Sequence, residues 1–175
     1  GTGSLRYAEA LINSERGFEA AKEIQRTWKS FDLTENEHKA YISRNNSTVE
    51  GFNSVRLDSM LWQGFTDSAS RMLPLVNKDM RALARAKIAL RENKPRLKAL
   101  INLIPSTVKD DPGLAYERFL WGLRNGYWDS AIEILIDRSR SKERLGTPQA
   151  WADWRRVLAR EMVRSGRFDT GYDLA

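Results

Sequence analysis

The sequence predicts an all-α protein whose helix-turn-helix units stack into an α-superhelix, a solenoid of the TPR-like kind. Three observations favour this class: apolar residues recur at helical spacing, start and stop signals for helices alternate, and a short phrase recurs at intervals of 29 to 48 residues. No run of β-branched residues alternates at a period of two, so the sequence predicts no strands. A compact helical bundle is the alternative.

The apolar periodicity is clearest in three segments, where hydrophobic side chains fall three or four residues apart and so share one helix face. The segments are Tyr116, Phe119, Leu120 and Leu123; Met80, Leu83, Ala84, Ile88 and Leu90; and Trp151, Trp154, Leu158 and Met162. Because this spacing is so regular, we expect the tryptophans to pack in the core and not to form a sugar-stacking or base-stacking platform.

Capping residues mark the expected helix starts. Thr34 and Glu37 have the spacing of a capping box. Asp111-Pro112 and Thr147-Pro148 each place an N-cap residue before a proline at the first helical position. We expect a further helix to begin at Pro95.

One phrase recurs between the predicted helices. Its copies are 64–69 (GFTDSA), 126–131 (GYWDSA) and 166–171 (GRFDTG), with a weaker copy at 16–21 (RGFEAA) and a degenerate one around Asn93-Lys94-Pro95. We expect the glycine to end one helix in a left-handed conformation and an aromatic residue, such as Trp128 or Phe168, to fill the corner. The aspartate or a neighbouring hydroxyl would cap the next helix, and the small residue would allow close helix contact.

Length and composition narrow the class further. The 175 residues suffice for one domain or a short repeat array, no segment is apolar enough to span a membrane, and the absence of cysteine excludes disulfides and thiolate metal sites. The first four residues, Gly1 to Ser4, resemble a tag remnant. We therefore expect one partial α-superhelical domain over residues 5–175.

Basic residues are concentrated in two blocks of a chain whose net charge is +6. Residues 71–98 hold nine basic and two acidic residues, and residues 138–167 hold nine and three. The candidates for a face that binds an acidic partner are six arginines: Arg81, Arg85, Arg155, Arg156, Arg160 and Arg164. The alternative is that these charges form solvated helix faces paired within the chain.

Catalytic constellations are hard to find in the sequence. The single histidine, His38, lies in a charged helix start and is expected to face solvent. No glycine-rich phosphate loop occurs, and carboxylate pairs such as Asp110-Asp111 lie where acids favour the start of a helix. The sequence therefore assigns no catalytic residue, no cofactor and no metal site to this chain.

Four phrases resemble the N-terminal region of soluble lytic murein transglycosylases. They are 56–64 (RLDSMLWQG), 69–76 (ASRMLPLV), 110–119 (DDPGLAYERF) and 151–160 (WADWRRVLAR). The likeness covers most of the chain from about Ala20 onward, with the phrases in the same order. The resemblance implies a periplasmic protein of the Gram-negative envelope, in which an α-superhelical array precedes or surrounds a lysozyme-like domain that cleaves the glycan of peptidoglycan.

The catalytic motif of that family is a Glu followed by Ser, with a later G-L-M-Q phrase, and neither occurs here. The resemblance therefore implies a non-catalytic scaffold that positions its parent enzyme on murein or on another envelope protein. The alternative is a stand-alone helical-repeat adaptor for protein–protein interaction in the envelope. Nucleic-acid binding is disfavoured, because the capped repeats and these phrases already account for most basic residues.

The last copy of the phrase opens a helix and is followed by only four residues. In a solenoid each unit buries its apolar face against the next. We therefore expect the helix that carries Trp151, Trp154, Leu158 and Met162 to lose part of its cover. A frayed tail, or self-association through this end of the chain, would follow.

Overall fold

The computed structural model describes residues 1–175, which form an all-α helical-repeat fold without strands, so the predicted fold class is confirmed. The helices are α1 (Thr2–Asn13), α2 (Gly17–Ser30), α3 (Glu35–Val49), α4 (Asn53–Gln63), α5 (Thr66–Met72), α6 (Lys78–Arg91), α7 (Leu97–Asn102), α8 (Pro112–Arg124), α9 (Trp128–Arg138), α10 (Lys142–Leu145), α11 (Pro148–Arg164) and α12 (Phe168–Leu174). None is both long and apolar enough to cross a bilayer. Helix α1 begins at Thr2, inside the segment that resembles a tag remnant.

The chain divides into two compact units within α6. In the first unit, Gly1–Ala84, α2 packs against α1, α3 and α4. Trp28 of α2 is fully buried there and stacks on the rings of His38 and Tyr41. The aromatic side chains of α2 and α3 therefore form the centre of this core.

The second unit, Arg85–Ala175, has its core where α9 and α11 meet the helices beside them. Helix α8 packs on α9, and α12 packs on both α9 and α11. Phe119, Leu135, Trp151 and Leu158 are buried in this core. The apolar stripes predicted on α8 and α11 are thus the faces that these helices bury.

Five helices end in the same backbone turn, which confirms that each copy of the recurring phrase marks a helix end. At the end of α4, Gly64 has a φ of 86°, and Phe65 N–H donates to the Met60 carbonyl at 2.9 Å. The same combination of positive φ and returning hydrogen bond recurs at Glu15, Asn93, Gly126 and Gly166. This turn is a Schellman motif, which satisfies carbonyls that the helix leaves without a partner.

The first copy of the phrase begins one residue earlier than the sequence predicted, at position 15 and not at position 16. Glu15 takes the left-handed conformation with a φ of 59°, whereas Gly17 begins α2. In this register the small residues of the three clear copies and of the weaker first copy coincide, and all are buried: Ala20, Ala69, Ala131 and Gly171. A Cβ on Gly171 would lie 2.8 Å from Val163 Cγ2, so the small residue permits the close approach of α12 to α11.

The expectation that aromatic residues fill the corners is wrong for three copies. Phe18, Trp128 and Phe168 are 73%, 49% and 66% exposed, because each lies in the first turn of its helix and points away from the core. Tyr127, beside Trp128, stacks on Trp121 with the ring centroids 5.3 Å apart. The corners are therefore closed by backbone hydrogen bonds and small residues.

The aspartates of the phrase do not cap their helices. The N-cap residues are Phe65, Tyr127 and Arg167, and none of them makes a side-chain cap hydrogen bond. The three aspartates instead lie in the first turn, where a negative charge favours the positive end of the helix dipole: Asp67, Asp129 and Asp169.

The other predicted caps hold with two exceptions. The capping box is confirmed, since Thr34 N–H donates to Glu37 Oε2 at 3.0 Å and Glu37 N–H donates to Thr34 Oγ1 at 3.3 Å. Asp111 accepts a hydrogen bond from Leu114 N–H at 2.7 Å and so caps α8. Thr147 makes no side-chain cap bond, and the helix expected at Pro95 begins at Leu97.

Three of the core-facing residues predicted on α11 are buried in the structure. Trp151, Leu158 and Met162 are 0%, 1% and 6% exposed, because α12 packs on α11 and places Leu174 in the same core. The expected loss of cover at these three residues is therefore wrong. Self-association through this part of the chain stays a prediction.

Candidate functional site

Three of the six candidate arginines form a solvent-facing row on α11. Arg156, Arg160 and Arg164 follow one another at i+4 spacing, and all are exposed. Asp153 and Glu161 pair with the first and last of them across one helical turn, with both partners largely in water. Since such surface pairs contribute little free energy, the three guanidinium groups remain free to exchange partners. We refer to Arg156, Arg160 and Arg164 as the basic row.

Two other candidates are engaged within the chain. Arg81 Nε donates to the Leu73 carbonyl at 2.8 Å and its Nη2 donates to the Val76 carbonyl at 3.0 Å. Arg155 Nε donates to the Leu174 carbonyl at 3.1 Å. Both side chains are half-buried, so the hypothesis of an acidic partner now depends on the basic row and on Arg85, which is exposed on α6.

Arginines that donate to backbone carbonyls recur elsewhere in the chain. Arg124 Nη2 donates to the Leu90 carbonyl in the last turn of α6, at 2.9 Å. Arg71 Nη2 donates at 2.6 Å to a loop carbonyl, that of Leu33, which lies directly before the N-cap of α3 and not at the end of a helix. The last carbonyls of a helix lack intrahelical hydrogen-bond partners and carry the negative end of the helix dipole. A cation there donates hydrogen bonds to these carbonyls and interacts favourably with the dipole. Part of the basic excess is therefore structural.

Arg56 is the extreme case of this arrangement. Its side chain is fully buried, and its Nη1 donates to the carbonyls of Trp28 and Phe31 at the end of α2, the latter at 3.0 Å. Its guanidinium carbon lies 4.5 Å from the centroid of the Trp28 ring. Burial, together with the nearby Arg71, lowers the pKa of Arg56 to about 10.

His38 lies in the same cluster, so the expectation that it faces solvent is wrong. His38 is 6% exposed, and its ring stacks on that of Trp28 with the centroids 5.2 Å apart. The reason is that His38 lies three residues from Tyr41, on the buried face of α3. Burial, with the positive charges of Arg56 and Arg71, lowers the pKa of His38 to about 4. The imidazole is therefore neutral at physiological pH. Its Nδ1 has no hydrogen-bond partner in the chain.

A second candidate site, which the sequence did not indicate, is an open pocket between α7, α8 and α9 with a volume of about 350 Å³. Leu90, Ile101 and Ile134 line it together with the stacked rings of Trp121 and Tyr127. Lys98 and Arg118 supply its charged groups, and no acidic residue lines it. Pockets of this size and apolar character are typical of small-molecule sites. We refer to it as the α7–α9 pocket.

The sequence did not indicate the α7–α9 pocket, because the pocket exists only where α7 packs loosely on its neighbours. This helix has six residues, and none of them is fully buried. Periodicity shows which face of a helix is apolar but not whether that face is completely covered. The only usable signal was the accumulation of apolar residues in so short a helix.

No group of three or more His, Asp or Glu side chains is arranged to hold a metal ion. The fold and these surfaces define the class of the protein as an all-α helical-repeat protein. No protein-family model, curated protein or solved structure matches the chain.

Proposed function

We propose that this chain is the non-catalytic helical scaffold of a periplasmic peptidoglycan lytic transglycosylase, and that it positions the parent enzyme on murein or on a partner protein. The observation that carries the proposal is the series of helices closed by one recurring Schellman turn. An array of this kind is the architecture that the family resemblance implies for the region before the catalytic domain.

The phrases that carry the resemblance coincide with residues that determine packing. Phrase 56–64 begins with the buried Arg56 and ends with the left-handed Gly64. Phrase 110–119 contains the α8 cap Asp111 and the buried Glu117, whose Oε1 accepts from Arg91 Nε at 2.9 Å. Phrase 151–160 contains the fully buried Trp151. Their coincidence with the framework of the fold supports a shared scaffold more than a shared chemistry.

The basic row offers a physical route to the cell wall. A row of exposed guanidinium groups attracts a polyanion over roughly 10 Å at 0.1 M salt, and the attraction weakens as salt rises. The stem peptides of peptidoglycan carry carboxylates, which Arg binds in bidentate fashion. Binding of this kind would hold the parent enzyme near its substrate.

Incubation of the purified chain with purified sacculi tests both halves of the proposal. We expect the protein to sediment with sacculi at low salt, to return to the supernatant as salt is raised, and to release no anhydro-muropeptides above buffer. Particulate chitin, a neutral glycan, serves as the control and should retain far less protein. Reproducible muropeptide release would contradict a non-catalytic role, and absence of sedimentation at every salt concentration would contradict binding to murein.

The alternative, a stand-alone adaptor for protein–protein interaction in the envelope, is favoured by a different observation. Phe18, Phe168 and Tyr172 expose 73%, 66% and 83% of their surface, and exposed aromatic groups are common in protein interfaces. An adaptor would bind a periplasmic protein in a complex that is lost when Phe168 and Tyr172 are replaced by serine. It would show no salt-dependent retention on sacculi.

A further inference from the structure

The scaffold proposal gives no role to the α7–α9 pocket, yet the charges around that pocket are one-sided. Lys98 and Arg118 line it and make no hydrogen bond or ion pair within the chain. On its other side Arg118 borders a hollow that contains Glu133 and Asp137. Asp137 is paired instead with Arg144, at 2.6 Å. Arg118 is paired with neither carboxylate, so both cations are available to an anion inside the pocket, with Glu133 as the competing partner of Arg118.

Hydrogen bonds orient part of the aromatic wall of the pocket, namely the Trp121 indole and the backbone of Tyr127. Trp121 Nε1 donates to Asn93 Oδ1 at 2.8 Å, which sets the plane of the indole. Tyr127 follows the left-handed Gly126, and its N–H donates to the Gly122 carbonyl at 2.8 Å, which sets its backbone. The two rings stack at an interplanar angle of 13°. An indole held in this way loses little conformational entropy on binding, and the pair can contact an aromatic partner through an outer ring face or the ring edges.

The opposite side of the pocket is incompletely covered. Leu97 and Ile101 of α7 are only half-buried, although both face the pocket. A molecule that filled the pocket would remove their remaining apolar surface from water, which favours binding. The pocket is open to solvent on one side.

We propose that the α7–α9 pocket binds a small aromatic carboxylate. The ring would lie between the Trp121–Tyr127 wall and the aliphatic side chains of Ile101 and Ile134. Its carboxylate would face Arg118 and Lys98, where the planar guanidinium matches a carboxylate in bidentate geometry.

The probe for this site is 2-naphthoate, and its neutral isostere 2-naphthamide is the matched comparison. We expect saturable binding of naphthoate by calorimetry. In nitrogen–proton correlation spectra, the shifts should concentrate at the Trp121 indole and at the amides of α7, α8 and α9. We expect naphthamide to bind at least tenfold more weakly, because its neutral amide cannot form an ion pair or a bidentate pair with a guanidinium group.

Single substitutions test whether Lys98 and Arg118 bind the carboxylate of naphthoate. Lys98→Gln and Arg118→Gln should each weaken naphthoate binding severalfold while leaving naphthamide binding unchanged. The controls Lys109→Gln and Arg6→Gln remove exposed cations that do not line this pocket and should leave both affinities unchanged. Ser130→Phe, at an exposed position of the pocket lining, should abolish binding of both compounds without loss of helicity.

Four results would overturn the proposal, of which three come from the naphthyl compounds. Those three are equal binding of naphthoate and naphthamide, shifts that concentrate outside α7 to α9, and unchanged naphthoate affinity in both Gln variants. A peptide ending in tryptophan with a free carboxylate shares the ligand chemistry and provides a further comparison. If that peptide bound at least tenfold more tightly than naphthoate, the pocket would be a site for protein termini and the assignment to a small molecule would be wrong.

Discussion

At the scale of single residues, the most informative groups are cations without carboxylate partners. Arg56 is fully buried, yet it is held by two backbone carbonyls and an aromatic ring. Burial of an ion is costly unless its partners are well placed. The end of α2 provides such partners, since its carbonyls carry the negative end of the helix dipole. Arg56 therefore joins α4 to the end of α2 through one guanidinium nitrogen, while its Nε and Nη2 have no hydrogen-bond partner and burial disfavours its charge.

Two substitutions at Arg56 separate the contribution of its packed volume from that of its charged guanidinium group. Arg56→Ala leaves a cavity and two carbonyls without their donor, so we expect the free energy of unfolding to fall by about 3–5 kcal/mol. Arg56→Met fills most of the volume and removes a buried charge, so its cost should be less than half as large. Urea denaturation followed by tryptophan fluorescence measures both values. Equal losses would show that the hydrogen bonds to the two carbonyls, which both variants lack, outweigh the packed volume of the side chain.

His38 makes the stability of the first unit depend on pH. Its pKa is about 4 in the folded chain against 6.5 for an ordinary histidine, so the unfolded chain binds the proton more tightly. The stabilisation is fully present above pH 6.5 and is lost as the pH falls towards 4, by about 3 kcal/mol at most. We expect the urea midpoint to decrease steadily over this range.

His38→Phe is the matched variant, because it keeps a ring against Trp28 and removes the titration. Its urea midpoint should change little between pH 6.5 and 4.5. Below pH 4.5 both proteins should lose stability, since hydrogen bonds from Thr34 and Thr2 lower the pKa of Glu37 to about 2. A wild-type midpoint that stays constant from pH 7 to 4.5 would show that His38 does not titrate as described.

At the scale of helices, the recurring turn is the element that defines the fold. Each copy closes with the same hydrogen bond whether the left-handed residue is Gly, Glu or Asn. Only Gly adopts positive φ without strain, so the three glycine copies are the stable form of the turn. Glu15 and Asn93 show that packing of the flanking helices can hold the turn without glycine.

Gly126→Ala measures the strain in this turn. A Cβ at Gly126 would meet no neighbouring atom, but the φ of 81° disfavours any L side chain, so we expect a loss of about 1–2 kcal/mol. The control Gly17→Ala lies at the start of α2, where no positive φ is required and no atom is near. It should be neutral or should stabilise by up to about 1 kcal/mol. Thermal unfolding gives both differences, and equal effects would contradict the role assigned to Gly126.

The sequence predicted local features well and tertiary ones poorly. The helix ends at Gly64 and Gly126 and the Thr34–Glu37 capping box were predicted correctly, because these features depend on residues close together in the chain. The shifted first turn was missed because Glu15 carries no sequence signal for positive φ. The burial of His38 and the carbonyl contacts of Arg56 depend on residues 10 and 25 to 28 positions away. The α7–α9 pocket depends on incomplete packing, which no pattern reports.

At the scale of the whole molecule, exposed apolar side chains on the last two helices support the prediction of self-association. Val157 and Val163 of α11 are about half exposed, and Phe168 and Tyr172 of α12 are exposed further. We expect the sedimentation coefficient of the wild-type chain to rise with concentration. Replacement of Phe168 and Tyr172 by serine should abolish this rise, while serine at the exposed Tyr7 should not. A wild-type coefficient independent of concentration up to the millimolar range would contradict association through this surface.

The central claim, that this helical array holds an enzyme on the cell wall, is tested most directly by co-sedimentation with sacculi across a salt series. The test variant carries Arg156→Glu, Arg160→Glu and Arg164→Glu, and the control carries the same charge change at the exposed Arg6, Lys22 and Lys109. We expect the test variant to lose most of its retention at low salt and the control to keep most of it. Equal retention of wild-type, test and control proteins at every salt concentration would contradict the claim that the basic row binds murein.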